Sequence, residues 1–275
     1  MTSLEVLSSD DPAWVLDEAG AFLASRPVVH NLILTLLHQR VAHPLPGRYW
    51  VAREGGAVTG VAFQSPRDFY ATITPMPFEA ATGIVDAIVD AGVMLPGVSG
   101  EADTAARFAG QWTERSKTAA APTQGQRIYE AKEIQKPEGV NGRMRTAVLR
   151  DRELIMNWHY AFYEDVGQRG MDPTANVDQR LPAGMYRIWE DGEPVSMAGY
   201  AKPVQGVARI LAVYTPEARR RRGYAGACVA ALSEEMLQRG YRPILYTDLG
   251  NPVSNSIYRR IGYRAAAEVL LYKFE

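Results

Sequence analysis

Residues 213–227 read Val-Tyr-Thr-Pro-Glu-Ala-Arg-Arg-Arg-Arg-Gly-Tyr-Ala-Gly-Ala. The run follows an apolar, strand-like stretch at 207–215. It precedes a helix expected over about 224–239, whose apolar face includes Cys228, Leu232 and Met236. The arginines supply permanent positive charge and directional donors suited to phosphate oxygens. Gly223 and the small Ala225 let a ligand come close to the backbone. A helix N-terminus adds unpaired N–H groups and the positive end of its dipole. Strand, basic small-residue turn and helix in that order form an anion cradle. A solvated basic run or a nucleic-acid patch would use the arginines but has no need of glycine and alanine at the helix entry.

A second group of polar residues follows at 251–263: Asn-Pro-Val-Ser-Asn-Ser-Ile-Tyr-Arg-Arg-Ile-Gly-Tyr. On a helix, Ser254, Asn255 and Tyr258 share one face, while Ile257 and Ile261 share another. The polar face can meet a ligand and the apolar face a sheet. A tyrosine with a pKa of about 10 is neutral at pH 7 and can act as a general acid. The competing role for Tyr258 is packing. For Asn251 and Asn255 it is turn formation and helix capping.

Arg220-x-x-Gly223-x-Ala225 resembles the Gln/Arg-x-x-Gly-x-Gly/Ala motif of the GCN5-related N-acetyltransferases (GNAT), and 213–216 resembles the end of their fourth strand. The 251–263 block resembles that family's Asn-x-x-(small)-x-x-x-Tyr-x-x-x-Gly-(aromatic) segment, in the expected order and at the expected separation. The resemblance covers about 144–275. It implies that acetyl-CoA is the cosubstrate, with Val213, Tyr214 and Thr215 on its pantetheine and acetyl portion. It also implies that Arg220, Arg221, Arg222, Gly223, Tyr224, Ala225 and Gly226 hold the pyrophosphate, with Asn251 and Asn255 as further CoA contacts. The resemblance also implies that Tyr258 takes the part of the acid, protonating the leaving thiolate. A backbone N–H near Thr215 polarises the thioester carbonyl. Many relatives carry a glutamate base on the central strands, but 207–215 holds no acid. Glu164, Asp165, Asp248 and a water-mediated route all remain open.

The elements that position these residues appear twice. Each half offers a short strand, a helix, a hairpin, a further strand and a helix. Gly47, Tyr49, Glu54, Gly55 and Val58 are matched at one constant offset by Gly184, Tyr186, Asp191, Gly192 and Val195. Thr74-Pro75 is matched at nearly the same offset by Thr215-Pro216. This pattern suggests a duplicated unit. The fold class expected is α/β (α+β), as two tandem GNAT-like domains, each a mixed, mostly antiparallel twisted sheet flanked by helices. Residues 1–134 form a GNAT-like domain that has lost its CoA site, 135–142 a linker, and 143–275 the CoA-binding domain. In the first half the corresponding segment reads Thr74-Pro75-Met76-Pro77-Phe78-Glu79-Ala80-Ala81, without arginines or the cradle glycine.

The chain has 275 residues, enough for two cores, with 47% hydrophobic and 22% charged residues. Its net charge of −1 argues against wholesale nucleic-acid binding. One cysteine and four scattered histidines offer no metal-site spacing. With no basic leader and no apolar run of about 20 residues, a cytoplasmic location is expected and no membrane partner. The reading is an acyl-CoA-dependent N-acyltransferase acting on a primary amine of a small molecule or amino acid, without a metal and with a homodimer as the assembly to test. The alternative is a CoA-binding regulatory or assembly module without turnover.

Overall fold

The computed structural model describes residues 3–275. In the first half the elements are β1 (Leu4–Ser9), α1 (Pro12–Ser25), α2 (Asn31–Ala42), β2 (Arg48–Glu54), β3 (Ala57–Gln64), β4 (Ala71–Ile73), α3 (Phe78–Asp90), β5 (Gly97–Glu101), α4 (Ala102–Ser116) and β6 (Ala120–Glu130). There follow β7 (Arg143–Thr146), α5 (Arg152–Asp165), α6 (Thr174–Arg180), β8 (Tyr186–Asp191), β9 (Glu193–Tyr200), β10 (Val207–Tyr214), α7 (Tyr224–Gln238), β11 (Arg242–Asp248), α8 (Pro252–Arg260) and β12 (Arg264–Phe274).

The chain divides into two compact units. Unit 1 runs to Ile128 and also takes Asp248–Gly250 and Ala265–Glu275; unit 2 is Tyr129–Thr247 with Asn251–Arg264. This differs from the division expected from sequence in two respects. Residues 135–142 lie inside unit 2, where Pro137 and Val140 approach Gly226 and Gly223 of the α7 entry. Nearly all of β12 joins unit 1, because Val269–Lys273 pair antiparallel with Glu101–Gly97 of β5. A linear boundary cannot express that pairing.

Unit 1 orders its strands β1-β2-β3-β4-β5-β12-β6. The β2–β3 hairpin turns at Gly55–Gly56, both at positive φ, as the glycine signal predicted. Asp11 caps α1, its Oδ1 accepting from the Ala13 amide at 2.8 Å. One face of the sheet packs Trp50, Ile73, Val98 and Phe274 against α3 and α4 through Ile84, Ile88, Phe108 and Trp112. On α2 the buried apolar stripe is Ile33, Leu34 and Leu37. The strands β5 and β6 have no alternating pattern in sequence. β5 is short and carries two glycines, and most of β6 is solvated, so both owe their form to neighbouring strands rather than to propensity.

Unit 2 orders its strands β7-β8-β9-β10-β11, followed by the end of β6. β7 to β10 are antiparallel, and β10–β11 is parallel. Side chains alternate across this sheet. Ala198, Ala208, Ile210 and Leu245 face α7 and α8, packing on Cys228, Leu232, Met236, Tyr258 and Ile261. Tyr186, Ile188, Met197 and Ala212 face α5 and α6, packing on Ile155, Trp158, Val177 and Leu181. Both units are mixed, mostly antiparallel sheets flanked by helices, as expected.

Candidate functional site

β10 is irregular where the cosubstrate motif begins. It pairs with β9 through Ile210↔Tyr200 and Leu211↔Gly199, then slips by one residue to Tyr214↔Met197. Ala212 sits in the slip at φ +51. An alanine at positive φ costs roughly 1–2 kcal/mol, so the surrounding packing must impose it. On the other edge, the β10–β11 pairing ends at Ile210↔Leu245, although β11 continues to Asp248. Beyond Ile210 the two strands part. Backbone N–H and C=O groups on this edge of Leu211–Tyr214 then need a partner other than β11.

The turn after β10 is braced from several sides. Ser196 donates to the Tyr214 carbonyl at 2.9 Å and lies 2.9 Å from the Thr215 hydroxyl. Arg220 Nε donates to the Thr215 carbonyl at 3.0 Å. The same guanidinium pairs with Asp165 at the end of α5 and lies 5.9 Å from the Tyr214 ring centroid. The Arg220 side chain is therefore occupied in shaping the turn. Arg221 and Arg222 are exposed and take part in no ion pair among the described residues.

Arg221 at φ +64 and Gly223 at φ +83 fold the backbone over the start of α7. A Cβ on Gly223 would stand 2.8 Å from Val140 Cγ2, so glycine is required both by conformation and by space. The first helical bond runs from Ala227 N to Gly223 O at 3.0 Å. The N–H groups of Tyr224, Ala225 and Gly226 precede any intrahelical acceptor, and no side chain caps this end. α1, α4 and α8 are each capped by their own Asp11, Glu101 or Asn251. α2, α3, α5 and α6 are likewise without a side-chain cap; what sets the α7 entry apart is the positive φ of Arg221 and Gly223 with the exposed Arg221 and Arg222 side chains beside it, which suits it to an anion supplied from outside. The Tyr224 side chain is buried and its hydroxyl donates to Asp191, which leaves only its backbone for a ligand.

α8 stands beside α7, with Ile257 Cγ2 3.3 Å from where a Gly226 Cβ would be. Asn251 caps α8, accepting from the Ser254 amide at 3.0 Å. Asn255 is buried, donates to the Asn251 carbonyl at 2.7 Å and accepts from the Tyr129 hydroxyl at 3.1 Å. Both amides thus have structural work in the protein. Tyr258 lies between the Tyr129 and Tyr263 rings, at 6.5 and 6.1 Å. Burial pushes its phenol up to about 12. The hydroxyl bonds to no described residue and is not among the sealed polar atoms, so it stays open to a ligand.

The opposite face of β10 carries a polar group that sequence reasoning passed over. His159 of α5 is buried, with Nε2 2.9 Å from the Tyr186 hydroxyl and Nδ1 without a partner. Burial, aided by the Arg180 charge, lowers its pKa to about 4. Arg209 of β10 lies over the Tyr246 ring at 5.8 Å, and its buried Nε has no partner. A lone arginine in the run Val-Ala-Arg-Ile-Leu-Ala-Val was the available signal for this group. The carboxylates considered as bases are otherwise engaged or peripheral. Asp165 is held by Arg220, Glu164 is exposed, and Asp248 lies in unit 1, accepting from the Gly250 amide at 2.7 Å. Among the described residues no helix is long and apolar enough to cross a membrane, and no group of His, Cys, Asp and Glu could hold a metal ion.

Residues 188–271 match the family model described as FR47-like protein. No curated protein matches the chain significantly. In fold the chain is similar to a GNAT-family acetyltransferase from Colwellia psychrerythraea, at TM-score 0.62 and 10% identity over 99% of this chain and 100% of that one. It is also similar to a GCN5-related N-acetyltransferase from Sphaerobacter thermophilus, at TM-score 0.65 and 16% identity over 97% and 94%. A tandem GNAT protein from the clavulanic acid biosynthesis pathway aligns over 98% of both chains, at TM-score 0.56 and 9% identity. The chain has the tandem fold of the GCN5-related N-acetyltransferases, and its second half carries the FR47-like segment.

Proposed function

We propose that unit 2 is an acetyl-CoA-dependent N-acetyltransferase acting on the primary amine of a small molecule or amino acid. The observation that carries this reading is the uncapped α7 N-terminus, entered through Arg221 and Gly223 at positive φ directly after a strand that has parted from its neighbour. The N–H groups of Tyr224, Ala225 and Gly226 suit a pyrophosphate, and Arg221 and Arg222 add charge at its rim. The free edge of Leu211–Tyr214 suits the amide-bearing pantetheine arm, which can pair with it as a strand would.

Bound acetyl-CoA supplies an activated thioester carbonyl. The acceptor nitrogen bonds to that carbon, the C–S bond breaks, the sulfur leaves as thiolate, and the nitrogen loses a proton. Backbone N–H groups at the β10 slip polarise the carbonyl. Tyr258 offers its hydroxyl to the leaving sulfur. With a phenol near 12 and a thiol near ~8.5, complete proton transfer from Tyr258 would cost about 5 kcal/mol, so it acts as a hydrogen-bond donor that keeps its proton. The ammonium proton leaves through water, since no carboxylate stands ready on β10.

In unit 1 the matching helix α3 begins with Glu79 in its first turn and has no arginine near its entry. An acid there repels a pyrophosphate, so one CoA per chain is expected. Calorimetric titration with acetyl-CoA, followed by an amine panel with detection of released thiol, tests the whole reading. Binding at one site with turnover supports it. Binding without turnover on any amine would leave a CoA-binding module, and no binding removes the reading altogether.

A further inference from the structure

In unit 2, residues 129–135 tie down both ends of α8. At the start of the helix, the Tyr129 hydroxyl donates to Asn255 Oδ1 at 3.1 Å. At its end, the Gln135 amide donates to the Ile261 carbonyl at 3.1 Å. Gly262 follows at φ +106, so close to the same segment that a Cβ would stand 2.3 Å from the Glu133 carbonyl oxygen. The segment is itself anchored to β11, where the Ala131 amide donates to the Pro243 carbonyl at 3.1 Å.

The Tyr129 bond is the one aimed at the chemistry. Tyr129 and Asn255 are both buried, so water does not dilute the contact. The amide that Tyr129 meets is held in turn, since Asn255 Nδ2 donates to the Asn251 carbonyl at 2.7 Å. Tyr258 stands three residues beyond Asn255 on the same face of α8. Its ring centroid is 6.5 Å from that of Tyr129. A rotation of α8 fixed at Asn255 is thus a rotation fixed at Tyr258. Tyr263, 6.1 Å from Tyr258, has its hydroxyl engaged by Ser233 at 2.7 Å. It packs against Tyr258 without directing it.

Stability does not demand the Tyr129–Asn255 pair, because replacing both partners of a buried hydrogen bond by apolar groups of the same shape is close to neutral. What the bond adds is direction. Ile257 and Ile261 hold α8 on the sheet by packing, and packing alone tolerates small rotations, whereas a buried hydrogen-bonded pair selects one of them.

We propose that Tyr129 is a positioning residue for acyl transfer, fixing through Asn255 the rotation of α8 that places the Tyr258 hydroxyl at the departing sulfur. This rests on the N-acetyltransferase reading of unit 2. A donor turned slightly aside weakens a hydrogen bond formed in the transition state, while the α7 entry still holds the cosubstrate.

The test is Tyr129→Phe in the full chain, which keeps the ring and removes the hydroxyl. On the best acceptor of the amine panel, kcat should fall about tenfold, and calorimetric acetyl-CoA affinity should change less than twofold. In a Tyr258→Phe background the same substitution should change kcat less than twofold, because its effect runs through that hydroxyl. A second readout replaces Tyr258 by 3-fluorotyrosine. Saturating CoA should shift its fluorine resonance, and Tyr129→Phe should at least halve that shift. An unchanged kcat in Tyr129→Phe, an equal loss in both backgrounds, or a fluorine shift that is absent from the wild type or undiminished in the variant overturns the proposal. So does a fall in CoA affinity matching the fall in kcat, which would make Tyr129 a structural residue. A wild type that binds CoA and shows the shift but turns over no amine removes the acetyltransferase reading, while the shift still decides the role of Tyr129. No binding of CoA removes both.

Discussion

Arg187 and Glu235 meet as a fork, with Nε 2.8 Å from Oε2 and Nη2 2.6 Å from Oε1, joining β8 to α7 where Arg187 is only 3% exposed. Burial works against the ionised Glu235, but the Arg187 guanidinium outweighs it and holds the carboxyl below its ordinary range. Glu235→Ala leaves a buried charge alone and should cost about 3–5 kcal/mol in urea unfolding. The paired change Arg187→Met with Glu235→Leu should recover most of that loss. If the single and double variants unfold alike, the fork has no such role.

Gly223→Ala should damage CoA binding more than the fold. The new methyl would stand 2.8 Å from Val140 at φ +83, a conformation that costs an L-residue about 1–2 kcal/mol. The loop would shift and carry the Tyr224–Gly226 amides off their ligand. Acetyl-CoA affinity should fall at least tenfold by calorimetry. Adding Val140→Ala relieves the contact but not the backbone, so recovery should be partial.

Tyr258→Phe should lower kcat about 10–100-fold with acetyl-CoA affinity nearly unchanged, since only the leaving-group hydrogen bond is lost. With its phenol near 12, Tyr258 stays neutral through the accessible range. The wild-type rate should therefore show no alkaline limb from it below about pH 10. An equal rate in the phenylalanine variant removes Tyr258 from the mechanism.

His159 makes the fold sensitive to mild acid. Burial first, and Arg180 second, depress its pKa to about 4, against about 6.5 when unfolded. A depressed folded value means that the contribution is complete above about pH 6.5. It is lost as pH falls toward 4, because the unfolded chain takes up the proton first. The loss amounts to about 3 kcal/mol. His30 is lowered in the same direction, also chiefly by burial, and adds to the slope. His159→Gln, which can still bond the Tyr186 hydroxyl, should flatten the fall between pH 6.5 and 4 in chemical unfolding curves.

Phe274 stacks on Trp112 in unit 1, with ring centroids 5.0 Å apart and planes 10° from parallel. Phe274→Ala should cost about 3–5 kcal/mol. The loss should appear in unit 1 and leave acetyl-CoA binding intact, as read by hydrogen exchange across α4 and β5.

The backbone geometry of the α7 entry was legible because its signals are local. Strand, glycine turn and helix adjoin in sequence, and the same held for both hairpins. What escaped depends on partners far along the chain. Arg220 reads as a phosphate ligand until Asp165 and the Thr215 carbonyl are found beside it. Asn255 reads as a ligand contact until Tyr129 arrives from β6. Arg209 and His159 became meaningful only when pleating and helix packing brought them to one face, and β5 gained its partner from residues 269–273.

That last pairing bears on how the protein is made. A ribosome releases the residues before 129 early, yet unit 1 lacks the strand beside β5 until residue 273 has emerged. Throughout the synthesis of unit 2, β5 carries an open edge, the kind of surface that pairs with a wrong partner. Unit 1 is first in order and last to close, so translation pauses within 129–247 would lengthen its exposure, and a nascent chain arrested there should depend on chaperones more than the finished one.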